Sequence, residues 1–380
     1  MDFSLSEEQQ AIRDMAEAFS AGQIAPKALD WDRERHFPVD VIRQAALLGL
    51  GGIMVSDAHG GTALGRLDSV LIYEALARGC PAISAYLSIH NMVGTMIDRH
   101  GSDAQKAHYL PRLCTAEILA SYCLTEPGSG SDAAALSTRA ERDGAGWRVS
   151  GQKMFISGAG TSDLYVVMAR TGGPGPKGVS AFLVDKGAQG LSFGANERKM
   201  GWNAQPTRTV TLDAVRLGPE ALLGPEGAGF TLAMEALDGG RTSIAACSLG
   251  GAQAAFDKAI GYMAERKAFG QALTQFQALQ FTLADMATDL EVGRTFLWRA
   301  AAALDAKHPD ATRLCAMAKK HVTDMGFGVA NAALQLHGGY GYLADYGVEK
   351  IVRDLRVHQI LEGTNEIMRL IIARSLLAER

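Results

Sequence analysis

The spacing of apolar residues divides the chain into a helical, then an extended, then a second helical stretch. Near the start, Ser6-Glu7-Glu8-Gln9 reads as a capping box, and Ile12, Met15, Ala16 and Phe19 follow at i, i+3, i+4 and i+7, which predicts an amphipathic helix with one buried face. Similar periodicity predicts helices over about 38–50, 67–79, 84–99 and 103–114, separated by breakers such as Asp57-Ala58-His59-Gly60-Gly61. From about residue 118 the pattern shortens to strand-like runs: Trp147-Arg148-Val149, Leu164 to Ala169, Val179 to Val184 and Thr207 to Leu212. Turns such as Thr171-Gly172-Gly173-Pro174-Gly175-Pro176 separate them. After about 227 helical periodicity returns, with Phe256, Ile260 and Met263 on one stripe, and continues over 276–305, 309–336 and 363–378. The order is α, β, α, and the last part is long enough for a helix bundle.

Composition narrows the function. The 380 residues are 47% hydrophobic and 21% charged, which is ordinary globular protein rather than a disordered chain. A net charge of -4 with dispersed lysines and arginines argues against a nucleic-acid surface. The five cysteines, Cys80, Cys114, Cys123, Cys247 and Cys315, are scattered without a zinc spacing, so no metal site is expected and a reducing compartment fits. Met1-Asp2-Phe3-Ser4-Leu5 does not resemble a secretory leader, and no apolar window is long enough to span a membrane. The expected location is the cytoplasm, or the mitochondrial matrix where a presequence has been removed.

Two segments carry candidate chemistry. In Arg356-Val357-His358-Gln359-Ile360-Leu361-Glu362-Gly363-Thr364-Asn365-Glu366, one carboxylate follows an apolar pair and precedes a glycine. An apolar shelf makes a carboxylate a stronger base, and Gly363 permits the turn that would aim it; the plainer expectation for a loop glutamate is solvation. In Tyr122-Cys123-Leu124-Thr125-Glu126-Pro127-Gly128-Ser129-Gly130-Ser131-Asp132, small residues allow close approach to a flat ligand and hydroxyls offer hydrogen bonds, although a linker turn has the same composition. No strand followed by GxGxxG opens a helix, which argues against a nicotinamide-type Rossmann site.

Together with Phe155-Ile156-Ser157, the second segment resembles the flavin-side signature of the acyl-CoA dehydrogenase family. The resemblance runs through the whole chain in order: Glu265-Arg266-Lys267-Ala268-Phe269-Gly270, Gln275-Phe276-Gln277, Gln335-Leu336-His337-Gly338-Gly339-Tyr340-Gly341-Tyr342, then the Glu362 loop. It implies an N-terminal α-helical domain (1–117), a middle β-barrel-like domain (118–226) and a C-terminal four-helix bundle (227–380). It also implies FAD, with Tyr122, Leu124, Thr125, Gly130, Ser131, Phe155, Ile156 and Ser157 on the flavin side and Ser157 near N5. Arg266, Phe276, Gln277, Gln335, Leu336, His337, Gly338 and Gly339 would hold the dinucleotide end of a neighbouring subunit's cofactor, so a homo-oligomer, usually a tetramer, follows. Thr364, Asn365 and Glu366 would touch the cofactor from the first side.

By the same resemblance Glu362 abstracts the α-proton of an acyl-CoA, the flavin takes the β-hydrogen as hydride, and an electron-transfer flavoprotein reoxidises it. Some relatives place the base on a bundle helix instead, where this chain has Gly240. Asp238, Gly239, Gly240 and Arg241, with Ser131 and Arg374, would then contact the substrate, the two glycines opening space near the thioester. Several strings, including Gly201-Trp202-Asn203-Ala204-Gln205-Pro206-Thr207, resemble the isobutyryl-CoA branch, which points to valine breakdown; Asp238 departs toward the straight-chain and isovaleryl pattern. Alternatives are 2-methylbutyryl-CoA or butyryl-CoA as substrate, a flavin oxidase or monooxygenase, and a non-catalytic binding protein.

Overall fold

The computed structural model describes residues 4–378. Met1-Asp2-Phe3, read above for a leader, and the last two residues of the C-terminal region lie outside them. Helix α1 (Glu7–Phe19) starts on the expected box: Ser6 Oγ accepts the Gln9 N–H at 3.1 Å and Gln9 Oε1 accepts the Ser6 N–H at 3.2 Å. Ala16 is buried, while Ile12, Met15 and Phe19 pack at the edge of the core. Helices α2 (Ala28–Glu34), α3 (Val39–Leu47), α4 (Arg66–Gly79), α5 (Pro81–His100) and α6 (Asp103–Cys114) follow. Of these, α2 has no counterpart in the periodicity. Helix α5 is buried along most of its length, so it forms the spine of this region.

Strands β1 (Ala120–Cys123), β2 (Arg139–Asp143), β3 (Gly146–Ser157), β4 (Leu164–Arg170), β5 (Val179–Asp185), β6 (Leu191–Phe193), β7 (Thr207–Leu217) and β8 (Leu222–Leu223) form one sheet in the order β6-β7-β3-β2-β4-β5-β8, with β1 beside β4. Its two halves meet where Arg139 of β2 pairs with Arg170 of β4. Strand β4 explains its unbroken apolar run. Leu164, Val166 and Met168 pack toward Val93 and Ile97 of α5, whereas Tyr165, Val167 and Ala169 pack on Trp147, Phe182 and Val210 inside the β region.

Helices α7 (Gly229–Glu265), α8 (Gln277–Asp305), α9 (Ala311–Leu336), α10 (Val348–Arg356) and α11 (Asn365–Ala378) complete the chain. α7, α8, α9 and α11 make the bundle, and α7 also packs on α4 and α5. The β region is pinned to this bundle by a buried network. The Trp202 N–H donates to Asp354 at 2.5 Å, Lys350 donates to the same carboxylate at 2.6 Å, and the Trp202 indole donates to His358 at 3.2 Å. His358 also meets Ser248 of α7 at 3.2 Å, and burial pushes its pKa down to about 3, so the ring is neutral. This network leads directly into the segment that carries Glu362. No helix of the described residues is long and apolar enough to cross a membrane, and their five cysteines are buried and free.

Candidate active site

The backbone at Glu362 is left-handed, with φ of 54°, and Gly363 follows at 87°. A glutamate in this conformation is strained and persists only when its surroundings hold it there. Lys319 of α9 does so from beneath, donating to the Gly363 carbonyl at 2.8 Å and to Asn365 Oδ1 at 2.9 Å. Asn365 in turn donates to Thr323 at 3.0 Å and Asp324 at 2.7 Å, and Gln359 reaches the same Asp324 at 2.8 Å. The loop is thereby fastened to α9.

The side chain of Glu362 turns toward α7. A Cβ built on Gly240 would stand 2.6 Å from Glu362 Oε2, so only glycine there leaves room for the carboxylate. Oε2 is buried without a hydrogen-bond partner, and the Glu362 N–H finds no acceptor among the described residues. The solvated loop glutamate expected from sequence is therefore not what the fold makes. Burial pushes the Glu362 pKa up to about 7, against the opposing charges of Lys319, Arg241 and Arg66. The pKa of Lys319 is itself brought down to about 8 by burial, although Glu362 favours its charged form.

Gly239 and Gly240 are expected to leave open space; two side chains take part of it, and Gly240 still borders a crevice. Gly240 receives Glu362, and Gly239 receives the guanidinium of Arg66, whose Nη2 would lie 2.5 Å from a Cβ at that position. Arg241 is buried and paired with Asp238, which also accepts from Thr312 at 2.6 Å, while Arg241 Nε has no partner. Beyond Gly240 a crevice runs between α5 and α7, walled by Met92, Met96, Leu232 and Ala236. Arg374 stands apart from this cluster as an exposed residue of α11.

On the β side, Thr125 accepts the Met154 N–H at 2.8 Å, which lays the 122–132 segment along β3 beside Phe155 to Ser157. Tyr122 Oη is buried and unpartnered, while Leu124 and Thr125 are half-buried. Gly130 and Ser131 are exposed, and a Cβ at Gly130 would meet nothing. Phe155 has a φ of 60° and is 60% exposed, a strained apolar side chain with its face uncovered. Ile156 points into the β core, so it offers a ligand only its backbone. Ser157 is half-buried and its carbonyl is taken by Ser121 at 2.6 Å. The side chain of Asn365 is engaged within the protein and acts as a prop of the loop; Thr364 is half-buried, and Glu366 is exposed and pairs with Arg369 at 3.0 Å.

The remaining motif residues meet at the far end of the bundle. Arg266, Gln335, Leu336, His337, Gly338 and Gly339 line one groove together with Tyr262 and Tyr340. His337 is buried, held by the Ala333 carbonyl at 2.7 Å and stacked on Tyr262 at 4.6 Å. Gly338 and Gly339 present open backbone, and the exposed Arg266 lies 5.5 Å from the Tyr340 ring. Phe276 and Gln277 start α8 nearby but do not line the groove. None of the flavin-side residues lines it either.

Residues 6–117, 121–215 and 227–377 match, in turn, the N-terminal, middle and C-terminal domains of acyl-CoA dehydrogenase. The chain belongs to the acyl-CoA dehydrogenase family. It is 52% identical to the mitochondrial isobutyryl-CoA dehydrogenase of Bos taurus over 375 residues, covering 99% of this chain and 90% of the relative. The enzyme of the same description from Dictyostelium discoideum is 52% identical over 373 residues, covering 98% and 90%. The three-dimensional structure of butyryl-CoA dehydrogenase from Megasphaera elsdenii superposes with a TM-score of 0.96 at 34% identity, covering 99% of this chain and 100% of that one.

As an acyl-CoA dehydrogenase the protein is a flavin oxidoreductase that uses FAD. Its donor set fits that group: the orphaned Tyr122 hydroxyl, the uncovered Phe155 and the open backbone at Gly130 suit a flat ring, and Arg266 with the Gly338-Gly339 cradle suits a phosphate-bearing arm. Sequence reasoning missed Arg66 and Lys319, which bring positive charge near the base from α4 and α9.

Proposed function

We propose that this acyl-CoA dehydrogenase converts isobutyryl-CoA to methacrylyl-CoA in valine breakdown, with Glu362 as the α-proton base. The observation that carries the assignment of the base is the buried, unpartnered Oε2 of Glu362 facing Gly240. A thioester α-proton is weakly acidic, so an ordinary carboxylate with a pKa near 4.3 is too weak a base. With its pKa near 7, Glu362 combines greater basicity with a substantial ionised fraction at neutral pH. Its own N–H, free of any acceptor among the described residues, is available to the thioester oxygen as charge develops there.

Ser131, Asp238, Arg241 and Arg374 are assigned to the CoA arm, Asp238 and Arg241 as a pair beside Gly239-Gly240. FAD, when bound, supplies the acceptor for the β-hydrogen as hydride. Loss of one proton to Glu362 and one hydride from the β-carbon leaves the C=C bond of the product. The flavin-side residues and the Arg266 groove lie apart on one chain, which supports two copies sharing each cofactor and hence a homo-oligomer; a tetramer is the form this family usually takes. An electron-transfer flavoprotein as oxidant, domains at 1–117, 118–226 and 227–380, and a matrix or bacterial cytoplasmic location belong to the same reading.

The substrate rests on the two isobutyryl-CoA relatives. Initial rates with isobutyryl-, 2-methylbutyryl- and butyryl-CoA and an artificial electron acceptor test it. Isobutyryl-CoA is expected to lead in kcat/KM by about tenfold, the usual scale for one misplaced methylene. A lead for butyryl-CoA overturns the branched-chain assignment.

A further inference from the structure

Arg66 opens α4, where its N–H and that of Leu67 are held by the Asp305 carboxylate of α8 at 2.7 and 3.1 Å. With the backbone capped in this way, the side chain runs inward to the surface of Gly239. It is only 9% exposed, yet its guanidinium has no hydrogen-bond partner among the described residues. It lines the same crevice as Gly240, Met54, Met92 and Met96. A cation with five N–H donors is thus kept unpaired beside Met54, Met92 and Met96, whereas the other charged groups of the lining, Arg99, His100 and Glu235, pair with one another.

We propose that Arg66 is a specificity-determining residue of the acyl cavity, where its unpaired charge admits a short branched acyl group and turns away long unbranched chains. The inference rests on the proposed function: Gly240 both faces the base Glu362 and lines this crevice, so the acyl group whose α-proton Glu362 removes is assigned to it. A short acyl group ends beside Gly240 and leaves the guanidinium its water. A longer chain has to lie against the guanidinium, strip that water and offer no acceptor in return, which is the arrangement a buried charge tolerates least. Rejection therefore comes from an unpaired polar group as much as from lack of room.

The test compares kcat/KM for octanoyl-CoA and isobutyryl-CoA on FAD-loaded wild type, Arg66→Met and Arg66→Lys. Wild type is expected to prefer isobutyryl-CoA by about 100-fold or more, Arg66→Met to raise the octanoyl/isobutyryl ratio by about 30-fold, and Arg66→Lys to stay within about threefold of wild type. Equal turnover of the two substrates by wild type overturns the proposal without any variant, so poor folding of Arg66→Met does not shelter it. It is also overturned if Arg66→Met keeps the wild-type ratio, or if Arg66→Lys shifts as far as Arg66→Met, because size rather than charge would then decide. Failure of isobutyryl-CoA to reduce the wild-type flavin would instead count against the proposed substrate.

Discussion

Two glutamates, both with buried carboxylate oxygens, end in opposite states. Glu126 lies in the flavin-side segment with both oxygens engaged: Ser137 donates from N–H and hydroxyl at 2.6 and 2.7 Å, Thr138 N–H at 2.9 Å and Lys153 at 2.7 Å. Burial alone would raise its pKa, but the Lys153 charge and these bonds outweigh it and hold the group down to about 2. Glu362 is surrounded by cations that do not touch it, its Oε2 receives no donor, and burial prevails, raising its pKa to about 7. Partners rather than depth decide whether a carboxylate is scaffold or reagent.

The sharpest break of this contrast is Glu362→Gln. It should keep FAD, seen in the flavin absorbance, while the rate of flavin reduction by isobutyryl-CoA falls about 10³–10⁴-fold; the amide has the shape without the basicity. The matching change at the other site, Glu126→Ala, leaves Lys153 buried and uncompensated. It should cost about 3–5 kcal/mol in denaturant unfolding.

Stability against pH separates the two further. A folded pKa of about 7 means that the stability Glu362 contributes when protonated is present at low pH and lost as pH rises from its ordinary range through 7. Glu362→Gln should therefore be more stable than wild type above pH 7 by up to about 3 kcal/mol, with the gain vanishing in acid. The stability from Glu126 has the opposite sense, present above the ordinary carboxylate pKa and lost as pH falls toward 2. Paired melting curves at acid and alkaline pH check both signs. The smallest expected effect is that of Gly240→Ala. The three atoms nearest the new Cβ all belong to the movable end of Glu362, so unfolding should change by less than about 1 kcal/mol. The displaced base should nonetheless slow flavin reduction by about tenfold to a hundredfold.

What was legible in the sequence was what repeats or clusters locally. The capping box at Ser6, the alternation of helical and strand periods and the glycine-bearing strings each lie within one element. The Glu362 loop could be picked out, but its burial could not, because the groups that hold and surround it arrive from distant parts of the chain. Lys319 sits mid-helix in α9, Arg66 looks like one more helix-opening residue, and the Trp202–Asp354–His358 network joins a β-region loop to α10. No periodicity announces such contacts. Gly239-Gly240 shows the same limit: two glycines announce space, but not that Arg66 and Glu362 enter it beside the crevice. Asn365 likewise looked like a cofactor contact by its place in the motif, yet its amide is turned into α9.

The proposed chemistry depends on Glu362 being a carboxylate made basic by burial. The most direct measurement is the rate of anaerobic flavin reduction by isobutyryl-CoA in the wild-type protein between about pH 5 and 9. A base with a pKa near 7 gives a rate that climbs with pH through a single ionisation near 7 and levels off above it, with that limb absent from the residual rate of Glu362→Gln. A wild-type rate already at its plateau at pH 5, as an ordinary solvated glutamate would give, contradicts it.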